Sequence, residues 1–229
     1  MKIYGTAGVS ASMLASRRVR WRRLAGAVVV LGVLGAFAIG RPTVSIVLLV
    51  GGFLVRYRLR GMTHAARSGS AGEYEVAARL RAYQPDVLLF DLDLRGQRSD
   101  IDAVVLGPVV ATVEVKAAKG RVRAMSDGTV RVGGTWLSGH PIAQAARHAA
   151  ALGTYTEHHA EALLCITRMR GRPRYVEYGR TKVLVTNLRH LRRALRWLPP
   201  LISAREARHL AQLLRSGNNP SHLESPSVH

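Results

Sequence analysis

The chain has 229 residues, a single cysteine and a formal net charge of +20. One cysteine excludes a disulfide framework, and the lack of C-x-x-C and H-E-x-x-H spacing argues against a zinc site. The sequence also contains neither a Gly-rich nucleotide-binding loop nor the G-x-S-x-G motif of the α/β-hydrolases.

The positive charge is divided unevenly along the chain. Eleven Lys or Arg residues and no acidic residue precede Glu73, whereas the remainder holds twenty-three basic residues against fourteen acidic ones. The basic leader fits attraction to anionic lipid. The excess of about nine positive charges after it fits a polyanionic partner such as nucleic acid.

Two uncharged apolar segments follow a basic leader (residues 1–23), of which residues 1–16 are expected to be disordered. Residues 24–40 are long enough for a membrane-spanning helix, which needs about 17–25 residues, while residues 42–55 are shorter. Basic residues concentrate on the cytoplasmic side of membranes, and here they flank the pair on both outer sides: Arg17, Arg18, Arg20, Arg22, Arg23, Arg56, Arg58 and Arg60. We therefore predict a multi-pass transmembrane hairpin over residues 24–57, turning at Gly40-Arg41-Pro42. It would lie in a bacterial cell membrane, with both termini and the C-terminal domain in the cytoplasm.

Three other interpretations of the apolar segments remain. Ala36-Phe37-Ala38 matches a signal-peptide cleavage site, but the apolar sequence resumes four residues later. Ser16-Arg17-Arg18 is similar to a twin-arginine signal, although Arg20 and Trp21 replace the apolar residues expected next. Buried core helices would show an amphipathic polar face, which these segments lack.

A connector over residues 58–68 leads to a predicted helix over residues 71–83, whose apolar residues recur on one face. Pro85 ends it, because proline cannot continue a helix. The pattern Ser70-x-x-Glu73 is also typical of a capping box, in which Glu73 bonds the backbone at the helix start. This pattern by itself explains Glu73 as a capping residue.

Three strands are predicted next, over residues 86–94, 101–106 and 109–116. Each is rich in apolar residues and bounded by turn residues. Side chains alternate along a strand, so Glu114 and Lys116 point the same way. A hairpin at Gly107-Pro108 would bring Asp102 beside them. Asp91 and Asp93 are interpreted as solvent-facing positions of the first strand.

Two carboxylates and an ammonium at the end of an apolar sheet cost free energy unless something binds there. Mg²⁺ (or Mn²⁺) would suit them, because it takes oxygen ligands and keeps several waters, so one or two carboxylates suffice. Asp102 and Glu114 could ligate it, with the carbonyl of Val115 as a third ligand. Lys116 would position or help deprotonate the attacking water, or neutralise charge developing on the phosphate. An ordinary buried ion pair of Lys116 with Glu114 or Asp102 explains the same pattern.

The predicted elements that follow are a small hairpin around Ser126-Asp127-Gly128 and then two helices and a strand. The hairpin pairs residues 120–123 with 130–132, the helices cover 141–154 and 157–168, and the strand covers 182–186.

Several sequence blocks, taken in order, resemble the nuclease-related domain (NERD) family of the PD-(D/E)xK nuclease-like fold. They are Ser70–Leu80, Ile101-Asp102, Val113–Lys116, Gly120–Val122, Trp136 and Pro141–Ala145. The resemblance covers roughly residues 68–187. It implies an α/β fold, a PD-(D/E)xK-like core with a central mixed sheet flanked by helices, in a domain over residues 69–187.

The resemblance also implies roles for particular residues. Glu73 corresponds to the acidic residue of the first helix, Asp102 and Glu114 to the metal ligands, and Lys116 to the active-site lysine. Gln144 corresponds to the glutamine that opens the next helix, although it could simply satisfy helix donors there. Family members often carry His after the aspartate, whereas this chain has Ala103, whose methyl group cannot supply a polar supporting role.

Residues 188–215 are predicted to form basic helices, before a disordered tail over residues 216–229. Four arginines recur at helical spacing beside leucines: Arg189, Arg192, Arg193 and Arg196. They would either bind nucleic-acid phosphates or form the solvated face of a packing helix. Ser203-x-x-Glu206 has the pattern of a second capping box.

The function predicted from these observations is Mg²⁺-dependent hydrolysis of DNA or RNA phosphodiester bonds by a membrane-anchored NERD-type protein. The alternative is a catalytically silent domain that binds nucleic acid or a protein partner while tethered to the membrane.

Overall fold

The computed structural model describes residues 1–7, 24, 27–34, 39, 42–94 and 99–216. The predicted basic flank Arg17–Arg23, the turn at Gly40-Arg41 and the tail after residue 216 lie outside these described residues. The chain divides into two units, one formed by Val9–Ser70 and the other by Met1–Gly8 with Ala71–His229.

In the unit Val9–Ser70, residues 27–34 are helical and pack against the start of helix α1, Pro42–Arg81. A Cβ added at Gly52 would come within 2.6 Å of Val29, so glycine permits this close approach. Apolar side chains of both stretches remain exposed, among them Leu31 (69%), Val47 (70%) and Phe53 (69%). No helix in the described ranges reaches both the length and the apolarity that crossing a bilayer requires.

Helix α1 overturns two local expectations. The predicted connector over residues 58–68 is helical, because no proline interrupts the sequence between Pro42 and Pro85. Ser70 therefore lies inside α1 and does not cap its start. The helix ends at Arg81, just before Pro85, as the sequence predicts.

The second unit is built on one mixed β-sheet. Its strands are β1 (Lys2–Tyr4), β2 (Val87–Leu92), β3 (Ile101–Leu106), β4 (Val110–Ala124), β5 (Val130–Val132), β6 (Thr135–Trp136), β7 (Glu161–Arg170), β8 (Arg174–Tyr178) and β9 (Thr181–Thr186). The order across the sheet is β1-β2-β3-β4-β7-β9-β8, while β5 pairs with β4 and with β6. Strands β2, β3 and β4 form an antiparallel meander, and β7 runs parallel to β4 and β9.

Strand β4 merges two predicted strands into one of fifteen residues. The turn before it is confirmed by the N–H of Gly107, which donates to the carbonyl of Val109 over 3.1 Å. The predicted hairpin is confirmed as well, since Val122 pairs with Val132 and Gly128 adopts a positive φ of 84° in the turn. Glycine adopts that conformation without steric cost.

The helix predicted over residues 157–168 is wrong, because this stretch enters strand β7. Ala162–Thr167 is buried on both sides between parallel neighbours. Such strands carry continuous apolar runs, so periodicity alone does not distinguish them from buried helices.

The prediction that residues 1–16 are disordered is also wrong for the first few of them. Lys2–Tyr4 forms β1, which adds a parallel edge strand beside β2. The guanidinium of Arg215 lies 4.2 Å from the centre of the Tyr4 ring, a cation–π contact that helps to hold this edge.

Helices cover both faces of the sheet, which confirms the predicted mixed α/β class. Helix α2 (Pro141–Thr156) and helix α4 (Ala204–Ser216) pack on one face. The C-terminal part of α1 and the short helix α3 (Leu191–Trp197) pack on the other. The capping box at the start of α4 is confirmed, since the Ser203 and Glu206 side chains and backbone amides bond reciprocally at 3.3 and 3.4 Å.

Candidate active site

The meander brings Asp102 of β3 and Glu114 of β4 side by side. Ala103 pairs with Val113, so Asp102 and Glu114 stand one step further along the same ladder. The backbone N–H of Val115 donates to Oδ2 of Asp102 over 2.7 Å. The two carboxylates predicted from the sequence are therefore neighbours at the point where the β3–β4 pairing ends.

Burial and the charge of Glu114 oppose ionisation of Asp102. Burial raises the pKa of Asp102 well above its usual range, and the charge of Glu114 raises it further. The hydrogen bond from Val115 and the charge of Lys116 offset part of this shift in the pKa of Asp102. A cation placed beside the carboxylates would remove the opposition.

Lys116 already contributes one such charge. Its Nζ donates to Oε1 of Glu114 over 2.6 Å, while the Glu114 side chain is only 1% exposed. Burial lowers the pKa of Lys116, but the charge and hydrogen bond of Glu114, with Asp102 and Glu73, outweigh it and raise that pKa overall. The ion pair expected from the sequence is thus present, and it lies inside the candidate site.

Glu73 reaches the same region from α1. It is half-buried, and burial followed by the charge of Asp91 raises its pKa, with Glu114 adding to the shift and Lys116 opposing it. The neighbouring Gly72 allows the helix to lie close to the sheet, because a Cβ there would lie 3.2 Å from both Ala117 and Thr167. Three carboxylates and one ammonium therefore share an electrostatic environment.

Asp91 adds a fourth carboxylate that the sequence interpretation placed toward solvent. Phe90 pairs with Ala103 and Leu92 with Ile101, so Asp91 stands opposite Asp102 across the ladder. It is half-buried and has a φ of 49°, a conformation unusual for residues other than glycine. Such local strain is common at functional sites. Asp93, by contrast, is exposed as expected.

His148 of α2 is a site residue that the sequence interpretation missed. Its Nδ1 lies 3.3 Å from Oε2 of Glu114, although the alignment does not make a hydrogen bond and neither atom has a hydrogen-bond partner in the part of the chain that the structure describes. Its Nε2 lies 3.0 Å from Oγ of Ser99. The available signal was helical spacing: His148 follows Gln144 by four residues and so shares its face of the helix.

Gln144 itself lies in the first turn of α2, where its backbone N–H donates to His140 over 3.0 Å. Its side chain is half-buried and makes no hydrogen bond to another described residue. Ala103, where the family often has His, is 1% exposed and packs into the core under α1 and α3.

The four C-terminal arginines precede or lie on the short helix α3. Arg189, Arg193 and Arg196 are exposed, and Arg193 stacks on Trp197 at 4.8 Å. Burial raises the pKa of Tyr83, near the end of α1, and the charge of Arg196 opposes that shift. Tyr83 follows Glu73 by ten residues, or about 15 Å along a helix at 1.5 Å per residue. Arg192 is half-buried, and no described residue forms a hydrogen bond with its Nε.

The donors at the carboxylate pair fit a hard divalent cation. Oε2 of Glu114 is buried and has no hydrogen-bond partner among the described residues, and Asp102 faces it with a carboxylate of raised pKa. Within the described ranges no three His, Cys, Asp or Glu side chains are grouped closely enough to hold one ion. Two carboxylates suffice for Mg²⁺, which retains several waters. The carbonyl of Val115 remains a predicted third ligand.

Comparison with known proteins gives one match. Residues 68–169 match the family model described as the nuclease-related domain, NERD, which confirms the resemblance drawn from the sequence blocks. No curated protein and no solved structure matches the chain.

Proposed function

Because residues 68–169 form a nuclease-related domain, we propose that the protein is a membrane-anchored nuclease that hydrolyses DNA or RNA phosphodiester bonds with Mg²⁺ or Mn²⁺. The observation that carries this proposal is the buried pair Asp102 and Glu114, with Lys116 bonded to Glu114 over 2.6 Å. Such a group destabilises the fold when it binds nothing. It suits a site that binds a cation and an anionic phosphate together.

Each residue of the site has a separate proposed role in hydrolysis. Asp102 and Glu114 would hold the metal ion, which supplies Lewis-acid stabilisation of the charged phosphate. Lys116, with its raised pKa, stays protonated and can donate to a phosphate oxygen at the same place. Glu73, with a raised pKa and a half-buried position, can accept a proton from the attacking water. His148 limits the positions open to the Glu114 carboxylate.

The unit Val9–Ser70 is proposed to anchor the protein in the membrane. Its helical stretches leave large apolar side chains exposed, which is unfavourable in water. Strand β1 precedes this unit yet belongs to the same sheet as β2. This pairing supports a segment that enters and leaves the membrane on the same side. This favours the hairpin over a single span, and the basic flanks favour the cytoplasmic side.

The exposed arginines after β9 are proposed to contact nucleic acid. Arg189, Arg193 and Arg196 present guanidinium groups that match phosphate geometry. In this role they would hold the substrate without taking part in the chemistry.

The test is cleavage by the purified full-length chain in a non-ionic detergent. Labelled single-stranded DNA, duplex DNA and RNA are incubated with Mg²⁺, with Mn²⁺ or with EDTA. We expect metal-dependent cleavage by the wild type and its loss in Glu114→Gln. Glu177→Gln, an exposed glutamate on β8, is the matched control and retains activity. Equal cleavage by wild type and Glu114→Gln would refute the catalytic proposal.

One observation favours the silent alternative. Lys116 already neutralises Glu114 in the absence of metal, as in an ordinary buried ion pair. If that is its whole role, the protein binds nucleic acid in a salt-sensitive manner with no cleavage under any metal condition. Far-UV circular dichroism of each variant excludes loss of fold as the cause.

A further inference from the structure

Strand β4 continues for eight residues beyond Lys116, where half-buried and exposed side chains alternate instead of being uniformly buried. Val122 and Ala124 pack toward the core on the α2 side of the sheet. The alternating residues Lys119, Arg121 and Arg123 are exposed on the opposite face. The strand that carries Glu114 and Lys116 therefore also carries a row of exposed cations.

The neighbouring strands place more cations on this face. Lys119 pairs with Arg168 and Arg121 with Arg170 on β7, and Arg123 pairs with Arg131 on β5. Residues directly opposite one another in a ladder project from the same side of the sheet. We call these six residues the cationic face: Lys119, Arg121, Arg123, Arg131, Arg168 and Arg170.

Acidic residues do little to neutralise the cationic face. The three stretches that build it, 119–124, 130–132 and 167–170, contain no Asp or Glu. Glu75 of α1 lies 3.6 Å from Arg168, whose side chain stays 68% exposed. Asp127, at the nearby turn, accepts hydrogen bonds from Thr129. The cationic face therefore keeps a large net positive charge.

This arrangement costs stability in the free protein. Like charges directly opposite each other in a ladder repel, and here three consecutive pairs do so. Neighbouring strands are about 4.8 Å apart, and alternate residues on one strand are about 6.7 Å apart. A polyanion with closely spaced charges removes the repulsion, whereas a small anion meets only one or two of the cations.

An aromatic residue borders the cationic face. Trp136 of β6 is 54% exposed and pairs with Arg131, whose guanidinium lies 5.8 Å from the ring centre. Nε of Arg131 donates to the carbonyl of Gly134 over 2.7 Å, which holds the guanidinium in place. An exposed aromatic ring among cations is a common stacking platform for unpaired bases.

The cationic face lies on the strand that carries Glu114. Lys119 follows Lys116 by three residues, about 10 Å along a strand, with a register shift between them. It projects from the face of the sheet opposite α2, whereas Glu114 faces His148 of α2. The ion pair of Arg168 with Glu75 places the cationic face next to the part of α1 that carries Glu73. A chain bound along the face would run beside that helix.

We infer that the cationic face binds the phosphate backbone of the nucleic-acid substrate on the α1 side of the strand that carries Glu114. This inference rests on the proposed function for the identity of the substrate, but the binding itself requires no catalysis. It adds six cations to the arginines after β9 as proposed phosphate contacts.

The test compares two triple variants of the full-length chain in detergent. Arg121→Gln/Arg123→Gln/Arg131→Gln removes three charges from the cationic face. Arg180→Gln/Arg205→Gln/Arg208→Gln removes three exposed charges elsewhere. Dissociation constants for labelled single-stranded DNA and RNA are measured by fluorescence anisotropy in EDTA, between about 50 and 200 mM salt.

We expect the first triple variant to weaken binding at least tenfold, while the control triple changes it less than threefold. The slope of log K against log salt should fall by about two to three units, since each phosphate contact contributes about 0.7–0.9. A third variant with lysine at positions 121, 123 and 131 should keep the wild-type slope, which separates lost charge from lost fold. Equal affinities of the two glutamine triples would overturn the inference.

Two further outcomes separate the alternatives. Binding to anionic phospholipid vesicles that is lost in the first triple, with nucleic-acid binding unchanged, would assign the face to lipid and overturn the inference. Weakened nucleic-acid binding without cleavage by the wild type would support the inference while refuting the proposed catalysis.

Discussion

The backbone N–H of Val115 donates a hydrogen bond to Oδ2 of Asp102 over 2.7 Å, which ties the end of β3 to the strand that carries Glu114. The bond holds one carboxylate beside the other, although burial and repulsion between them raise the pKa of Asp102. The site therefore opposes the ionised state of Asp102 when no cation is bound.

Replacing Asp102 tests whether its ionised form destabilises the fold, with the unfolding temperature as the measurement. An acid whose pKa is raised by folding stabilises the fold below its unfolded pKa, and this contribution is lost as pH rises through the folded value. Asp102→Asn keeps an oxygen acceptor for Val115 and carries no charge. In EDTA we expect a higher unfolding temperature than wild type near pH 7, with the difference shrinking toward pH 4, and no cleavage.

Asp127→Asn serves as a control, because its effect on stability should change with pH in the opposite direction. Hydrogen bonds from Thr129 lower the pKa of Asp127, so its contribution is present above its usual pKa and is lost in acid. The variant should be slightly less stable than wild type at neutral pH and equal to it in acid. If the stability of Asp102→Asn relative to wild type changed with pH in the same direction as that of Asp127→Asn, the raised pKa of Asp102 would be contradicted.

Divalent metal should stabilise the wild type through the carboxylate pair. A ligand that binds only the folded state at one hundred times its Kd adds about 2.7 kcal/mol. We expect Mg²⁺ or Mn²⁺ to raise the unfolding temperature of the wild type but not of Glu114→Gln. Calorimetric scans with and without metal measure this, and an equal shift in Glu114→Gln would place the metal elsewhere.

His148 is expected to act by positioning Glu114. Residues that orient a metal ligand typically change affinity or activity by about 10–100-fold. We predict a loss of that size in kcat for His148→Ala, with partial recovery in His148→Asn and little change in KM. Ser99→Ala, which removes the partner of Nε2, should lose less, and a loss in KM alone would indicate a substrate contact.

Packing within the unit Val9–Ser70 depends on one of two adjacent glycines. A side chain at Gly52 would meet Val29 at 2.6 Å, whereas Gly51 has no heavy atom within 4 Å of the corresponding position. Overpacking costs about 1–3 kcal/mol. Gly52→Val should therefore unfold at lower denaturant concentration than Gly51→Val, as followed by far-UV circular dichroism in detergent. Equal midpoints would show that residues 27–34 do not pack there.

Local patterns made much of the fold predictable. Val-rich runs bounded by turn residues placed β2, β3 and β4, and Ser203-x-x-Glu206 placed the start of α4 within one residue. The failures occurred where local patterns are ambiguous. Residues 161–170 form a buried parallel strand whose apolar run also suits a helix. Residues 58–68 carry no residue that stops α1.

The alternation Val113-Glu114-Val115-Lys116 by itself determined that a carboxylate and an ammonium share one face of a strand, because side-chain direction in a strand is a local property. The tertiary structure alone decided what surrounds them. Asp91 stands opposite Asp102 through the β2–β3 register, and His148 reaches Glu114 from α2. Strand β1 pairs with β2 although Val9–Ser70 separates the two strands along the chain. These neighbours come from strand pairing and helix packing between residues distant in the chain, which no local pattern encodes.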